Sequence, residues 1–386
     1  MNDLLADIKT LVECESPSAD HDAVARSAEI VAQIGRRLLG AEPERIVTDG
    51  CTHLRWRFGD GPPRVLLLGH HDTVWPLGSL RTHPFSVEDG VLRGPGCFDM
   101  KAGVVMALHA AAALADRTGL TILVTGDEEI GAPRSRSLIE EEAKSCGAVL
   151  VLEASADGGA LKTRRKGVSQ YRIEVDGRAA HAGLEPEKGV NAGIEIAHQI
   201  LAVAALADPD RGTTVVPTVL TAGTTGNTVP AAASVAVDVR AWDAAEQDRV
   251  DRAVRSLSPA LAGARIRIAG AVNRAPLDAD ASADLFELAN SLAGGTLTGA
   301  SVGGASDGNI TAGLGIPTLD GLGAVGGGAH ADDEHVLVAE LLPRTALLVT
   351  LTKTLLAKTS LTKTLPAKGS SSATTNTGGE SGAGQR

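Results

Sequence analysis

The sequence predicts an α/β protein: a mixed, largely parallel sheet flanked by helices, with a smaller α+β unit inserted into it. Three observations carry that prediction. Short apolar runs at residues 65–68, 121–125 and 148–152 alternate with helical patterns, the order that builds a parallel sheet. Each run stops abruptly at acids or histidines, and the ends of sheet strands are where such folds handle ligands. Near Gly167 the rhythm changes to strict alternation, and the order becomes strand, helix, strand, strand, helix, strand over about 105 residues.

Length and composition agree. A chain of 386 residues exceeds what one core usually fills. The hydrophobic share of 43% and charged share of 22% are those of an ordinary globular protein. A formal charge of −11 argues against a grip on nucleic acid, and 2% aromatics leaves little on which bases could stack. Cys14, Cys51, Cys97 and Cys146 are scattered and read as free thiols of a reducing compartment. No export signal and no membrane-length apolar run is visible, so a cytoplasmic protein that binds no membrane is expected.

In chain order, apolar residues at helical spacing predict helices over 3–14 and 21–39, separated by the breaker Ser16-Pro17-Ser18. Residues 54–58 alternate like an exposed strand. Residues 65–68, four branched apolar side chains, read as a central strand leading through Gly69 into His70-His71-Asp72-Thr73. In an extended segment His70 and Asp72 share a face and His71 points away. A long Pro- and Gly-rich loop over 74–97 is expected to be functional. An Ala-rich helix over 104–114 follows, then the strand at 121–125 running into Asp127-Glu128-Glu129. The strand at 148–152 runs into Glu153. The inserted unit is placed at 167–272, between catalytic parts at 1–166 and 273–356, closed by a helix near 340–355. The tail over 357–386, rich in Thr, Ser, Gly and Lys, is expected to be disordered.

The strand ends and one late segment thus carry His70, Asp72, Asp99, Asp127, Glu128, Glu129, Glu153 and His330. So many carboxylates and imidazoles in one place are costly unless something positive neutralises them, and too few Lys or Arg residues are placed to do so. A pair of divalent metal ions meets the need. Mixed His and carboxylate ligands without thiolate suit Zn²⁺, with Co²⁺ or Mn²⁺ as replacements.

The segments Gly69-His70-His71-Asp72-Thr73-Val74-Trp75-Pro76, Gly94-Pro95-Gly96 to Asp99-Met100-Lys101, Asp127-Glu128-Glu129-Ile130-Gly131, Glu153, Ala180-His181-Ala182-Gly183 and His330 stand in an order that resembles one family. It is that of the di-zinc exopeptidases and deacylases that includes carboxypeptidase G, aminoacylase and the succinyl-diaminopimelate and acetylornithine deacylases. The wording is nearest the carboxypeptidase G branch, and the resemblance spans residues 3–355. It implies a zinc-exopeptidase-like fold with a ferredoxin-like lid and dimerisation domain.

For the site, the resemblance implies that Asp99 bridges two zinc ions, one completed by His70 and Glu153 and the other by Glu129 and His330. Asp72 orients His70. Two ions sharing a carboxylate lower the pKa of a water between them, and Glu128 takes its proton as the general base. The residues alone leave Asp127 open as that base; the family pattern selects Glu128. A cis peptide at Asp99–Met100 is implied as well. His181 is implied to reach a partner subunit's active site in a homodimer formed through the inserted unit. Asn227 and Arg240 are implied to hold a substrate α-carboxylate, and Ser306 and Asp307 to lie on a substrate-pocket loop. The function implied is hydrolysis of the amide of an N-acyl or peptidyl amino acid with a free α-carboxylate. The alternatives are a deacylase of a biosynthetic intermediate and a non-catalytic dimeric binding protein. At one point the pattern departs. Ala160 falls where glutamate-specific members carry a lysine, so the side-chain preference stays open, with Lys162, Arg164 and Arg165 as candidates.

Overall fold

The computed structural model describes residues 1–357, so the predicted disorder of the tail lies outside the described residues. Two N-terminal helices, α1 (Asn2–Val12) and α2 (His21–Leu39), precede a hairpin of β1 (Glu44–Thr48) and β2 (Cys51–Arg57) and the buried strand β3 (Val65–His70). Asp20 caps α2 by accepting the Ala23 N–H, and Gly40 ends it in the left-handed region at φ 67°. The stretch at 74–97, expected to be irregular, holds two short strands, β4 (Ser86–Glu88) and β5 (Val91–Arg93). Then come α3 (Ala102–Ala112), β6 (Leu120–Thr125), α4 (Arg136–Ser145), β7 (Ala148–Val151) and β8 (Leu161–Arg165).

The next segment has β9 (Gly167–Asp176), α5 (Ala192–Ala204), β10 (Thr214–Ala222), β11 (Ala232–Ala241), α6 (Ala244–Arg255) and β12 (Arg265–Arg274). The chain ends with α7 (Ala279–Leu292), β13 (Gly299–Val302), α8 (Asp307–Gly313), the short strands β14 (Thr318–Leu319), β15 (Gly326–Gly327) and β16 (His335–Leu337), and α9 (Val338–Ala357).

The main sheet runs β1-β2-β6-β3-β7-β14. β3 pairs in parallel with both β6 and β7, while β2 joins β6 antiparallel, so the sheet is mixed with a parallel centre. Every residue of β3, β6 and β7 is buried, as strands covered on both faces must be. One core, around Leu67, Met106, Leu108, Ile122, Leu150 and Leu348, fills the face covered by α1, α2, α3 and α9.

The second sheet is antiparallel, in the order β10-β11-β9-β12. With two strand–helix–strand units in sequence, that order is ferredoxin-like. α5 and α6 bury Ile196, Val203, Val250 and Val254 against Ile173, Val175, Val235 and Val237 in a separate core. A third small sheet, β15-β16-β5-β4, ties the 74–97 segment to the far end of the chain. Among the described residues no helix is long and apolar enough to cross a membrane.

Candidate active site

The parallel strands deliver the site. β3 ends on His70, and β6 and β7 end just before Asp127-Glu128-Glu129 and Glu153. The bend at 97–101 before α3 presents Asp99, and the Asp99–Met100 peptide is cis as expected. Gly96 enters that bend at φ 70°, and a side chain there would collide with Thr73. His330, also in the left-handed region at φ 63°, comes from the turn between β15 and β16.

Asp99 stands between two imidazoles. Its Oδ1 lies 3.4 Å from His70 Nε2 and its Oδ2 3.3 Å from His330 Nε2. Glu153 Oε1 is 3.6 Å from His70 Nε2, and Glu129 Oε2 is 3.1 Å from His330 Nε2. His70, Asp99 and Glu153 form one group of converging ligand atoms, and Asp99, Glu129 and His330 form another. His70 Nε2, Asp99 Oδ1 and Glu129 Oε1 are buried without a hydrogen-bond partner. Orphaned donor atoms of hard and borderline type aimed at two shared points fit divalent ions.

The titration properties express the same crowding. Hydrogen bonds to Asp99 and Glu129 push His330 up to about 10. Burial pushes Glu129 up to about 7, against the pull of His330. Burial lowers the His70 pKa, but its contacts with Asp72, Asp99 and Glu153 outweigh that and hold it well above the usual imidazole range.

Asp72 is the hub beneath the cluster. His70 Nδ1 lies 3.0 Å from the Asp72 carbonyl and 3.4 Å from its carboxylate. That carboxylate also accepts the Ser18 hydroxyl at 2.6 Å and the backbone N–H groups of Glu128 and Glu129, each at 3.2 Å. Asp72, through its carbonyl and its carboxylate, therefore sets the ring of His70 and the backbone of the two glutamates. His71 points away, as the strand alternation requires, toward the Thr52 carbonyl. Asp127 accepts backbone N–H groups of Arg134 and Ser135 and so shapes its loop.

Glu128 is buried beside this cluster. Arg274, the last residue of β12, brings its Nη2 to 3.0 Å from Glu128 Oε1 and 2.9 Å from Asp307 Oδ1. The contact with Glu128 is close but misaligned for a hydrogen bond, and Oε1 keeps no such partner. Burial drives the Glu128 carboxyl well above its usual range, and Arg274 pulls it back.

The remaining expected residues lie differently. Ser306 is wholly buried; its hydroxyl donates to Asp320 at 2.6 Å and caps α8. Asp307 pairs with Arg274. Both are engaged inside the protein, although a pocket-lining place was expected for them. Arg240 closes its fork on Asp238 of the same strand, at 2.8 and 3.0 Å, the ion pair that strand neighbours favour. Asn227 is exposed, and its carbonyl accepts the Ala182 N–H. His181 is exposed and receives the Gly183 N–H at 3.1 Å; among the described residues it makes no ion pair with the cluster. Ser18, Arg274 and Glu334 were not anticipated as site residues. A further group, Cys51, His53 and Asp127, also brings potential ligand atoms together. There burial pushes the Cys51 thiol up to about 12 and the thiol donates to the Gly126 carbonyl, so it serves as packing.

Comparison with known proteins decides the family. The pattern of peptidase family M20/M25/M40 matches residues 66–354. The chain belongs to that family. This M20 chain is 32% identical over 302 residues to carboxypeptidase G2 of Pseudomonas sp. (strain RS-16), covering 74% of this chain and 72% of that one. It is 29% identical over 371 residues to the succinyl-diaminopimelate desuccinylase of Xanthomonas euvesicatoria pv. vesicatoria, covering 87% and 98%. Its fold is similar to the M20 family metallo-carboxypeptidase Sso-CP2 from Sulfolobus solfataricus, with a TM-score of 0.72 at 16% identity over 92% of this chain and 99% of that one. The M20 chain is a metal-dependent amide hydrolase.

Proposed function

We propose that this hydrolase cleaves the amide of an N-acyl or peptidyl amino acid with a free α-carboxylate, using two Zn²⁺ ions. His70, Asp99 and Glu153 would hold one ion, and Asp99, Glu129 and His330 the other; Co²⁺ or Mn²⁺ are replacements. The observation that carries the reading is the placement of Asp99, whose two carboxylate oxygens face two different histidines. A bound pair supplies Lewis acidity and lowers the pKa of a water held there.

The chain's own groups do the rest. The Glu128 carboxylate, held by Arg274 at its Oε1, takes the proton of the attacking water and hands it to the leaving nitrogen. Asp72 keeps His70 turned toward Asp99. Asn227 and the uncommitted Nη1 of Arg240 receive the α-carboxylate, while Asp238 holds the guanidinium in place. His181 polarises the carbonyl of a substrate bound to the partner subunit. The unit at 167–272 acts as lid and dimerisation domain, closing to exclude water. The free cysteines fit a reducing cytoplasm.

The side-chain preference follows from which cation is unspent. Arg165 is bound to Asp320 at 2.7 Å and to the Gly304 carbonyl at 2.9 Å, and Arg164 lies over the Trp242 ring at 4.8 Å. The Lys162 ammonium forms no hydrogen bond or ion pair among the described residues, yet it is within electrostatic reach of Glu153, Asp320 and Asp99. We therefore assign Lys162 to an acidic side chain of the substrate. A second reading, removal of a succinyl group from a diamino acid, is supported by the 98% coverage of the desuccinylase.

The test is a panel of N-acyl glutamate, aspartate, neutral and aromatic amino acids, with an N-succinyl diamino acid, against zinc-loaded enzyme. Acidic N-acyl amino acids are expected to turn over fastest. Glu128→Ala should lose about 10²- to 10⁴-fold in rate while keeping its metal. Wild-type turnover by that variant would overturn the base assignment, and fastest turnover of the succinylated substrate would select the second reading.

A further inference from the structure

Glu334 lies four residues beyond His330, on the same turn. It is 4% exposed. Among the described residues no Lys, Arg or His forms an ion pair with it, and the buried Lys101 within electrostatic reach gives its ammonium to the Cys14 carbonyl at 2.8 Å instead. A buried carboxylate so placed is tolerated only where hydrogen bonds replace its water. Glu334 has four donors. Oε1 accepts the N–H of Phe98 at 2.8 Å and of Asp99 at 3.0 Å. Oε2 accepts the N–H of Gly96 at 2.9 Å and the indole N–H of Trp75 at 2.6 Å.

Three of these donors belong to the bend that presents Asp99. The φ and ψ angles of the bend at Asp99 and Met100 are not helical; besides Glu334 it is held by the Lys101 N–H on the Gly96 carbonyl, the Lys101 ammonium on the Cys14 carbonyl and the His70 N–H on the Met100 sulfur. The fourth donor, Trp75, anchors the stretch that follows Asp72. At its own end, Glu334 is held by its N–H on Ala331, next to His330. β16 begins one residue later and pairs with β5. The carboxylate therefore stitches the turn carrying His330 to the bend carrying Asp99, across 235 positions of sequence.

We propose that Glu334 is a positioning residue that sets metal affinity, by fixing the Asp99 carboxylate relative to His330. The proposal rests on the reading of Asp99 as a shared metal ligand. A carboxylate misplaced by a fraction of an ångström would still fold but would no longer meet both ions. Because Asp99 and His330 are both tied to Glu334, the group they form with Glu129 should loosen most. Groups that orient metal ligands typically account for about 10- to 100-fold in affinity.

The experiment is competition for zinc between a chromogenic chelator and the full chain, wild type against Glu334→Gln, which keeps the size but turns an amide against the backbone N–H groups. Elemental analysis gives the number of ions, and thermal unfolding of the chelator-stripped proteins reports the fold separately. Zinc affinity is expected to fall about 10- to 100-fold. Unchanged affinity with a lower melting temperature of the stripped protein would make Glu334 merely structural and overturn the proposal. If Glu334→Gln does not fold, Trp75→Phe carries the test, since it deletes one donor and leaves the backbone three. A smaller fall in zinc affinity is expected there, and none would overturn the proposal. Wild type that binds no zinc would instead remove the di-metal reading itself, so the two failures are distinct.

Discussion

Arg274 shows what a single side chain must do at this site. The residue is 6% exposed, and its guanidinium lies between Glu128 and Asp307, both buried. Removing it leaves two buried carboxylates without the guanidinium that pairs them, and an unpaired buried charge costs about 3–5 kcal/mol. Arg274→Met is therefore expected to lower stability by about that amount in urea denaturation of the metal-free protein. A loss below about 1 kcal/mol would mean that solvent already screens the pair. The residues legible in the sequence were those whose type clashes with their place: acids and histidines at the ends of apolar strands. Ser18, Arg274 and Glu334 stayed hidden because their partners lie far away in the chain, and nothing local distinguishes such a serine, arginine or glutamate from a surface one. Arg240 was ambiguous for the converse reason, since Asp238 two residues earlier accounts for it as an ion pair.

At the scale of elements, most long periodic segments were read, although α4 and α7 were not, and the short ones were missed. The ferredoxin-like order from β9 to β12 and the helices at both ends follow from apolar periodicity and caps. β4 and β5 are only three residues each, too short for alternation to register, and β5 owes its place to β16 at the other end of the chain. α5 illustrates an element pinned by a buried acid. Glu195 accepts Gln199 Nε2 at 2.6 Å and the Leu261 N–H at 2.7 Å, with Ala260 N–H alongside. Burial would raise its pKa, but these hydrogen bonds win and the carboxyl sits below its usual value. A depressed folded pKa gives stability that is present above the unfolded pKa, about 4.3, and is lost as pH falls through the folded value. Glu195→Gln should thus destabilise by about 1–2 kcal/mol at neutral pH, with the gap narrowing in acid. A gap that stays constant in urea melts carried from neutral pH down through the acid range would show that shape, not charge, holds the 260–261 loop.

For the whole molecule, exposed apolar side chains occur on both units, and several gather on α5 and β10 of the second. α5 exposes Ile194 and Leu201, with Ala197 and Ala204 between and beyond them on the same stripe. The adjoining edge strand β10 exposes Val216, Val219 and Leu220 and has no partner on its outer side among the described residues. An unpaired edge beside an apolar helix stripe is a surface that a second copy would cover. If the proposed dimer forms through this face, wild type should sediment as a dimer and Leu201→Glu as a monomer. If His181 acts on the partner's substrate, such monomers lose activity with their metal retained, and a sharper test follows. On the proposed dimeric mechanism, Glu128→Ala and His181→Ala subunits should each be inactive as homodimers. In a mixed dimer, the subunit that lacks His181 keeps its own Glu128 and receives His181 from its partner. Random exchange makes about half of the dimers mixed, each with one intact site of two, so about a quarter of wild-type activity should return on mixing. Activity that stays at the sum of the two variants, in dimers that demonstrably exchange, would place His181 in its own subunit's site or outside catalysis altogether.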